Sequence, residues 1–185
     1  MIADKQQAGI ARTLPENIMK KIRLEKITLN IGAGTEAENV EKAMGLLSRI
    51  TESKPVKTFA SKRIPTWKVR LGLPVGATAI VRGKKAEGML KLLLRAVEFR
   101  LKKTSFTKNG FSFGIKEYIE IPGVKYDPKI GIIGLEVAVS LGRAGFHVKR
   151  RKIRRAKIHQ RHEISAEEAW AWAEQNIGVK EKEIE

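Results

Sequence analysis

Cysteine is absent from the chain, which removes disulfides, thiolate zinc sites, iron–sulfur clusters and cysteine nucleophiles together and fits a reducing compartment. Long apolar runs are missing too. No stretch approaches the roughly 20 apolar residues that cross a bilayer, so no transmembrane segment is expected. Residues 1–26 lack an apolar core followed by a cleavage signature, and no secretory leader is expected either. The expectation is a soluble, cytoplasmic protein. Acids are scarce: 20 Asp and Glu stand against 37 Lys and Arg, for a formal net charge of +17. Self-repulsion on that scale destabilises a compact state unless a polyanion absorbs it. Nucleic acid and an anionic membrane surface are the two candidates.

What is present decides between them. With 185 residues and a hydrophobic fraction of 42%, the chain can form one domain with a core and some terminal decoration. Its basic residues come in blocks. Nine of them and no acid lie within 54–86, and nine more, again with no acid, lie within 143–162. The tail, 163–185, reverses sign with seven acids against two lysines. A solvated helix face mixes signs, because like charges at neighbour spacing repel. Two acid-free blocks in one small domain are better explained by phosphate contacts. A membrane surface would instead want a basic helix with a broad apolar face. Pro55, Pro65 and Pro74 break the first block, and the second offers only scattered Ile153 and Ile158. Nucleic acid is favoured, and no membrane partner is expected.

The hydrophobic pattern gives the fold class. Ile27, Leu29 and Ile31 alternate with Lys26, Thr28 and Asn30, as in a half-buried strand. Thr35 and Glu38 have capping-box spacing ahead of a helical stripe through Ala37, Val40, Met44 and Leu47, ending near Ile50. A short strand is expected over 56–59, then an irregular basic loop containing 61–67. Strands at 67–70 and 77–82 follow, separated by Gly72, Pro74 and Gly76. A second helix is expected from about Lys84 to Lys102, burying Leu90, Leu93, Leu94, Val97 and Leu101. Asn109-Gly110 marks a turn, and Leu135, Val137, Val139 and Leu141 line the inner face of another strand. Ser165 and Glu168 form a second capping box, ahead of a helix ended by Gly178. The class is α+β: a mostly antiparallel sheet with two helices packed on one face. Its other face, carrying Thr28, Asn30 and Arg82, would be open to RNA. We expect a core over 1–142 and, over 143–185, a basic extension ending in a helix.

Two features could suggest chemistry. Gly32-Ala33-Gly34-Thr35-Glu36-Ala37 satisfies the dinucleotide-binding pattern, and Glu52 lies twenty residues beyond Gly32. The half-polar first strand argues against it, since a strand covered on both faces is apolar throughout. His147, His159 and His162 all fall in the second basic block, with only Glu163 as a nearby acid, too few ligands for a metal. Paired histidines could serve a ribonuclease, but RNA contact or a structural role is the simpler reading. No catalytic residue, metal or cofactor is expected. An enzyme binding a dinucleotide and a generic RNA chaperone are the alternatives.

Several stretches resemble one family in order along the chain. Residues 27–34 (ITLNIGAG), 51–58 (TESKPVKT), 68–83 (KVRLGLPVGATAIVRG), 109–117 (NGFSFGIKE) and 126–134 (YDPKIGIIG) resemble the large-subunit ribosomal protein five family, which binds 5S rRNA. Residues 143–146 (RAGF) and 162–169 (HEISAEEA) resemble its archaeal and eukaryotic branch. The family's Gly-Gln before Lys-Pro is Glu52-Ser53 here, so no RNA contact is assigned to Glu52. The resemblance implies a structural constituent of the large subunit, in its central protuberance. It implies 5S rRNA contacts at Thr28, Asn30, Lys54, Thr58 and Arg82. A protruding loop would carry Lys62, Arg63 and Lys68 to P-site tRNA, with Trp67 either joining that contact or anchoring the loop internally. Region 126–133 would help bridge to a small-subunit head protein. The branch-specific extension would place Arg143, Lys149, Arg150, Arg151, Lys152, Arg154 and Arg155 against large-subunit rRNA or a neighbouring 5S rRNA-binding protein.

Overall fold

The computed structural model describes residues 17–182. Strand β1 (Arg23–Gly32) is the longest, and its alternation follows the sequence: Ile27, Leu29 and Ile31 are buried while Lys26, Thr28 and Asn30 are half-exposed. Helix α1 (Ala37–Thr51) comes next, then β2 (Val56–Phe59), β3 (Pro74–Arg82) and helix α2 (Lys84–Ala96). Two short strands, β4 (Arg100–Leu101) and β5 (Phe106–Thr107), lead to β6 (Gly110–Ile115) and β7 (Leu135–Gly142). One helical turn, α3 (His147–Arg150), precedes helix α4 (Ala166–Ile177) and the last strand, β8 (Lys180–Glu181).

Six strands form one sheet in the order β2-β3-β1-β7-β6-β5, with every neighbouring pair antiparallel. The expected α+β class, with a mostly antiparallel sheet, is what the chain adopts. Helix α1 buries Val40, Ala43, Leu46 and Leu47, and α2 buries Ala86, Leu90, Leu93 and Leu94. All of these but Val40 meet the inward side chains of β1, β3 and β7 in a single core. Helix α4 joins the same core from the β5–β6 end through Ala169 and Ala173, with Trp170 edge-on to Phe106 at 4.9 Å. The Ser165–Glu168 capping box is formed in both directions, and Gly178 ends α4 in the left-handed conformation.

Three local expectations are corrected. Thr35 and Glu38 form no capping box, because the helix starts one residue later, with Glu36 at the N-cap and no side-chain cap bond. The second helix stops at Ala96, not near residue 102. Glu98 and Phe99 take positive φ there, and the Phe99 amide turns back to the Leu94 carbonyl. The released chain pairs β4 with β8 in a small parallel sheet instead. Residues 67–70 are not a strand: Pro65–Trp67 make a 3-10 turn closed by a single Ile64–Val69 bridge. The first helix runs to Thr51 and is capped by Glu52 in the left-handed conformation (φ 50°), a position that favours glycine.

Candidate nucleic-acid interface

Because both helices cover the same side, the outward side chains of the sheet stay uncovered. Register places them in rows. Thr58, Gly76 and Gly32 form one; Val56, Thr78, Asn30, Glu136 and Gly114 the next; then Ile80, Thr28, Ala138 and Ser112. The last row holds Arg82, Lys26 and Ser140. The face is thus mostly small and uncharged, with cations at one end. Thr28, Asn30, Thr58 and Arg82, expected together as RNA contacts, do share it. Lys54 is exposed in the turn before β2, beside the face and not on it. Gly76 is required for the close approach of strands here. A Cβ at that position would stand 2.3 Å from the Ile31 carbonyl oxygen and 3.1 Å from Thr58 Oγ1.

The loop between β2 and β3 is a closed hairpin, more regular than expected. Ala60 and Leu73 pair at its base (2.9 Å), and Ile64 and Val69 exchange two backbone bonds of 3.0 and 3.1 Å nearer its tip. Lys62, Arg63 and Lys68 are exposed on it, and none is ion-paired among the described residues. Trp67 is 69% exposed, so it does not plug the core. It borders an apolar recess of about 710 Å³ shared with Phe59, Ile64 and Val75. At the far end of the helix layer, Asp127 accepts a bond from Arg49 (2.7 Å), and the Asp127 amide donates to the Tyr118 hydroxyl (3.0 Å). The Arg49 side chain, then the Lys129 amide, hold the Asp127 carboxyl below its ordinary range. Region 126–133 is therefore fastened to α1.

The second basic block behaves differently from the first. Arg143, expected to meet phosphate, is turned inward with its side chain only 6% exposed. Its Nε donates to the Lys20 carbonyl (2.9 Å) and Nη1 to those of His162 and Glu163. Its Nη2 donates to the Glu168 carboxylate at 2.8 Å. These bonds engage all three guanidinium nitrogens of a buried side chain, so Arg143 is corrected from a phosphate contact to an internal anchor. Lys149 and Arg150 are half-exposed but carry carboxylate partners, Glu163 and Glu25. Arg151 Nε bonds the Arg154 carbonyl (2.7 Å), which curls the segment on itself, while Lys152, Arg154 and Arg155 are exposed.

The decoys resolve through geometry. Gly32 and Gly34 join β1 to α1, but β1 has antiparallel neighbours on both sides, unlike the parallel sheet on which a dinucleotide-binding loop is built. The His162 ring nitrogen lies 2.9 Å from the Ala144 carbonyl with its edge against Phe146, and His159 accepts from the Arg161 amide. Both serve the local fold. Among the described residues, no three His, Cys, Asp or Glu converge.

Sequence reasoning passed over Lys108 and Asn109 as functional positions. Asn109 takes positive φ, and its side chain accepts from the buried Ile164 amide (3.0 Å). The Asn-Gly pair signalled the turn, while nothing local signalled its partner 55 residues on.

Comparison with known proteins agrees with this arrangement. The family described as Ribosomal protein L5 matches residues 17–70, and the model of the same ribosomal family's C-terminus matches 74–170. Large ribosomal subunit protein uL5 of Nanoarchaeum equitans is 52% identical over 166 residues, covering 89% of this chain and 98% of that protein. The uL5 proteins of Sulfurisphaera tokodaii and Sulfolobus acidocaldarius are 47% and 44% identical. They cover 92% and 89% of this chain, and 97% and 93% of their own lengths.

Proposed function

The chain belongs to the ribosomal protein L5 family, and we propose on that premise that it is a structural, non-enzymatic constituent of the large ribosomal subunit that holds 5S rRNA on its open sheet face. Family membership supports the ribosome and rRNA as its setting. The open, mostly uncharged face bordered by Lys26 and Arg82 carries the rest. Cations neutralise phosphates and release counterions, which supplies affinity with a steep salt dependence. Uncharged groups such as Thr28, Asn30 and Thr58 then select the shape of a folded RNA. The hairpin with Lys62, Arg63 and Lys68 projects from the edge β2–β3 pair, where it can reach a second RNA; P-site tRNA is our assignment. Region 126–133, fastened by Asp127, is assigned to a small-subunit head protein. Residues 143–185 act as an rRNA-facing or protein-facing addition to the 1–142 core, and the protein works in the cytoplasm, bound to ribosomes beside a neighbouring 5S rRNA-binding protein.

Binding titrations with 5S rRNA, tRNA and a scrambled RNA of 5S length, repeated across a salt series, test this. The 5S rRNA preference should persist as salt rises. Lys62→Ala and Arg63→Ala should weaken tRNA engagement while leaving 5S rRNA binding nearly intact. Equal binding of all three RNAs, collapsing together with salt, would reduce the protein to electrostatic glue. Equal loss of both activities in the hairpin variants would sink the division of labour.

A further inference from the structure

The register of β1 against β7 slips between Leu24 and Lys26, making Glu25 the extra residue of a β-bulge. In a regular strand, neighbouring side chains point to opposite faces. Here Glu25 and Lys26 line the same cleft. Gly142 leaves room for the carboxylate, since a Cβ there would stand 3.2 Å from Glu25 Oε2. Glu25 is only 24% exposed and ion-pairs Arg150; Glu163, 25% exposed, holds Lys149 at 3.7 Å. Glu25 thus ties the basic extension to the end of the sheet, while Glu163 braces two parts of that extension against each other.

The cleft they help close has a volume of about 370 Å³. Lys26 enters it from β1, Lys108 from the β5–β6 turn and Arg155 from the extension. None of these three is ion-paired among the described residues. With Lys149 and Arg150, five cations face two carboxylates, so three positive charges are left uncompensated in one concavity. Folding has brought them together against their mutual repulsion. A solvated surface gains nothing from that arrangement, whereas a polyanion backbone does.

We propose that this cleft between the sheet end and the basic extension is an RNA-phosphate clamp, with Lys26, Lys108 and Arg155 as its free ligands and Glu25 and Glu163 as positioning residues that hold it shaped before RNA arrives. It rests on the RNA-binding reading above but is independent of RNA sequence, because phosphates carry no base information. The test compares Lys108→Ala/Arg155→Ala with Lys42→Ala/Lys91→Ala, which removes equal charge from the helix side. Binding to 5S rRNA and to a scrambled RNA of equal length is measured across salt, with urea midpoints confirming that both variants fold. The cleft variant should lose about tenfold in affinity for both RNAs. Its log–log salt slope should fall by roughly 1.5, the loss of about two phosphate contacts, while the control changes little. Equal effects in the two variants would overturn the clamp even if 5S rRNA is still preferred. A cleft-specific loss without any 5S preference would uphold the clamp and remove the 5S assignment. Failure of the wild-type protein to bind either RNA would overturn both.

Discussion

Arg143 shows how a residue's type can mislead about its place. It opens an acid-free basic block, and charge alone assigns it to phosphate. Its partners are three carbonyls and a carboxylate, spread from Lys20 to Glu168. No local pattern connects those positions, so only the fold could reveal them. The guanidinium is buried while the Glu168 side chain is 45% exposed, so its removal chiefly strands the carbonyls it serves, at about 1–3 kcal/mol for each acceptor left buried without a partner. Arg143→Ala should therefore lower stability by about 3 kcal/mol in urea unfolding, and Arg143→Lys should recover only part, having no planar fork to reach all four acceptors. An unchanged midpoint would show that the anchor is dispensable. The partner carboxylate adds a pH signature. The Ser165 amide, then Arg143, hold Glu168 below its ordinary value of 4.5 against the opposing effect of burial. A lowered folded pKa gives stability that is fully present above that ordinary value and is lost as pH falls through the folded one. Glu168→Gln should flatten the stability profile below about pH 4.5 and leave its shape near neutrality unchanged.

Among the elements, legibility follows length and period. Strands β1 and β7 were readable because alternation sustained over six or seven residues has one interpretation, and it also named the open face. The end of α2 was not readable. Val97 and Leu101 keep the helical stripe going in the sequence, while the left-handed turn at Glu98 and Phe99 and a two-residue pairing with β8 redirect the chain. Two-residue strands carry no period to detect. The hairpin of β5 and β6 illustrates a half-legible element: Asn109-Gly110 announced the turn, but the turn also docks the extension. Leu141 donates to the Asn109 carbonyl, and the Asn109 and Ile164 backbones are linked as well as the side chain. Asn109→Ala removes the acceptor for a buried amide, at about 1–3 kcal/mol, and strains a left-handed position by another 1–2 kcal/mol or so. Asn109→Gly removes only the first support. The alanine variant should therefore unfold at lower urea than the glycine variant, with both below wild type. The reverse order would mean that the backbone conformation is unimportant there.

For the molecule as a whole, the charge balance was the most informative property of the sequence, because +17 on one small domain has few physical solutions. The structure divides that charge by use. The hairpin cations stand free, Arg143 is internal, and Lys149 and Arg150 are held by acids at the cleft. Between these regions lies a face with little charge, and specificity is assigned to it. That assignment separates two quantities that a single affinity would blur: the preference for one RNA fold and the dependence on salt. Asn30 sits centrally on the face, paired across β1 with Thr78 on one side and Glu136 on the other. The most direct measurement is the ratio of affinities for 5S rRNA and a scrambled RNA of equal length, in wild type and in Asn30→Ala, with the salt slope of each. Recognition by the uncharged face predicts a ratio reduced roughly tenfold, about 1.4 kcal/mol, with the salt slope unchanged. An unaltered ratio, or a loss shared equally by both RNAs, would contradict recognition through the open face.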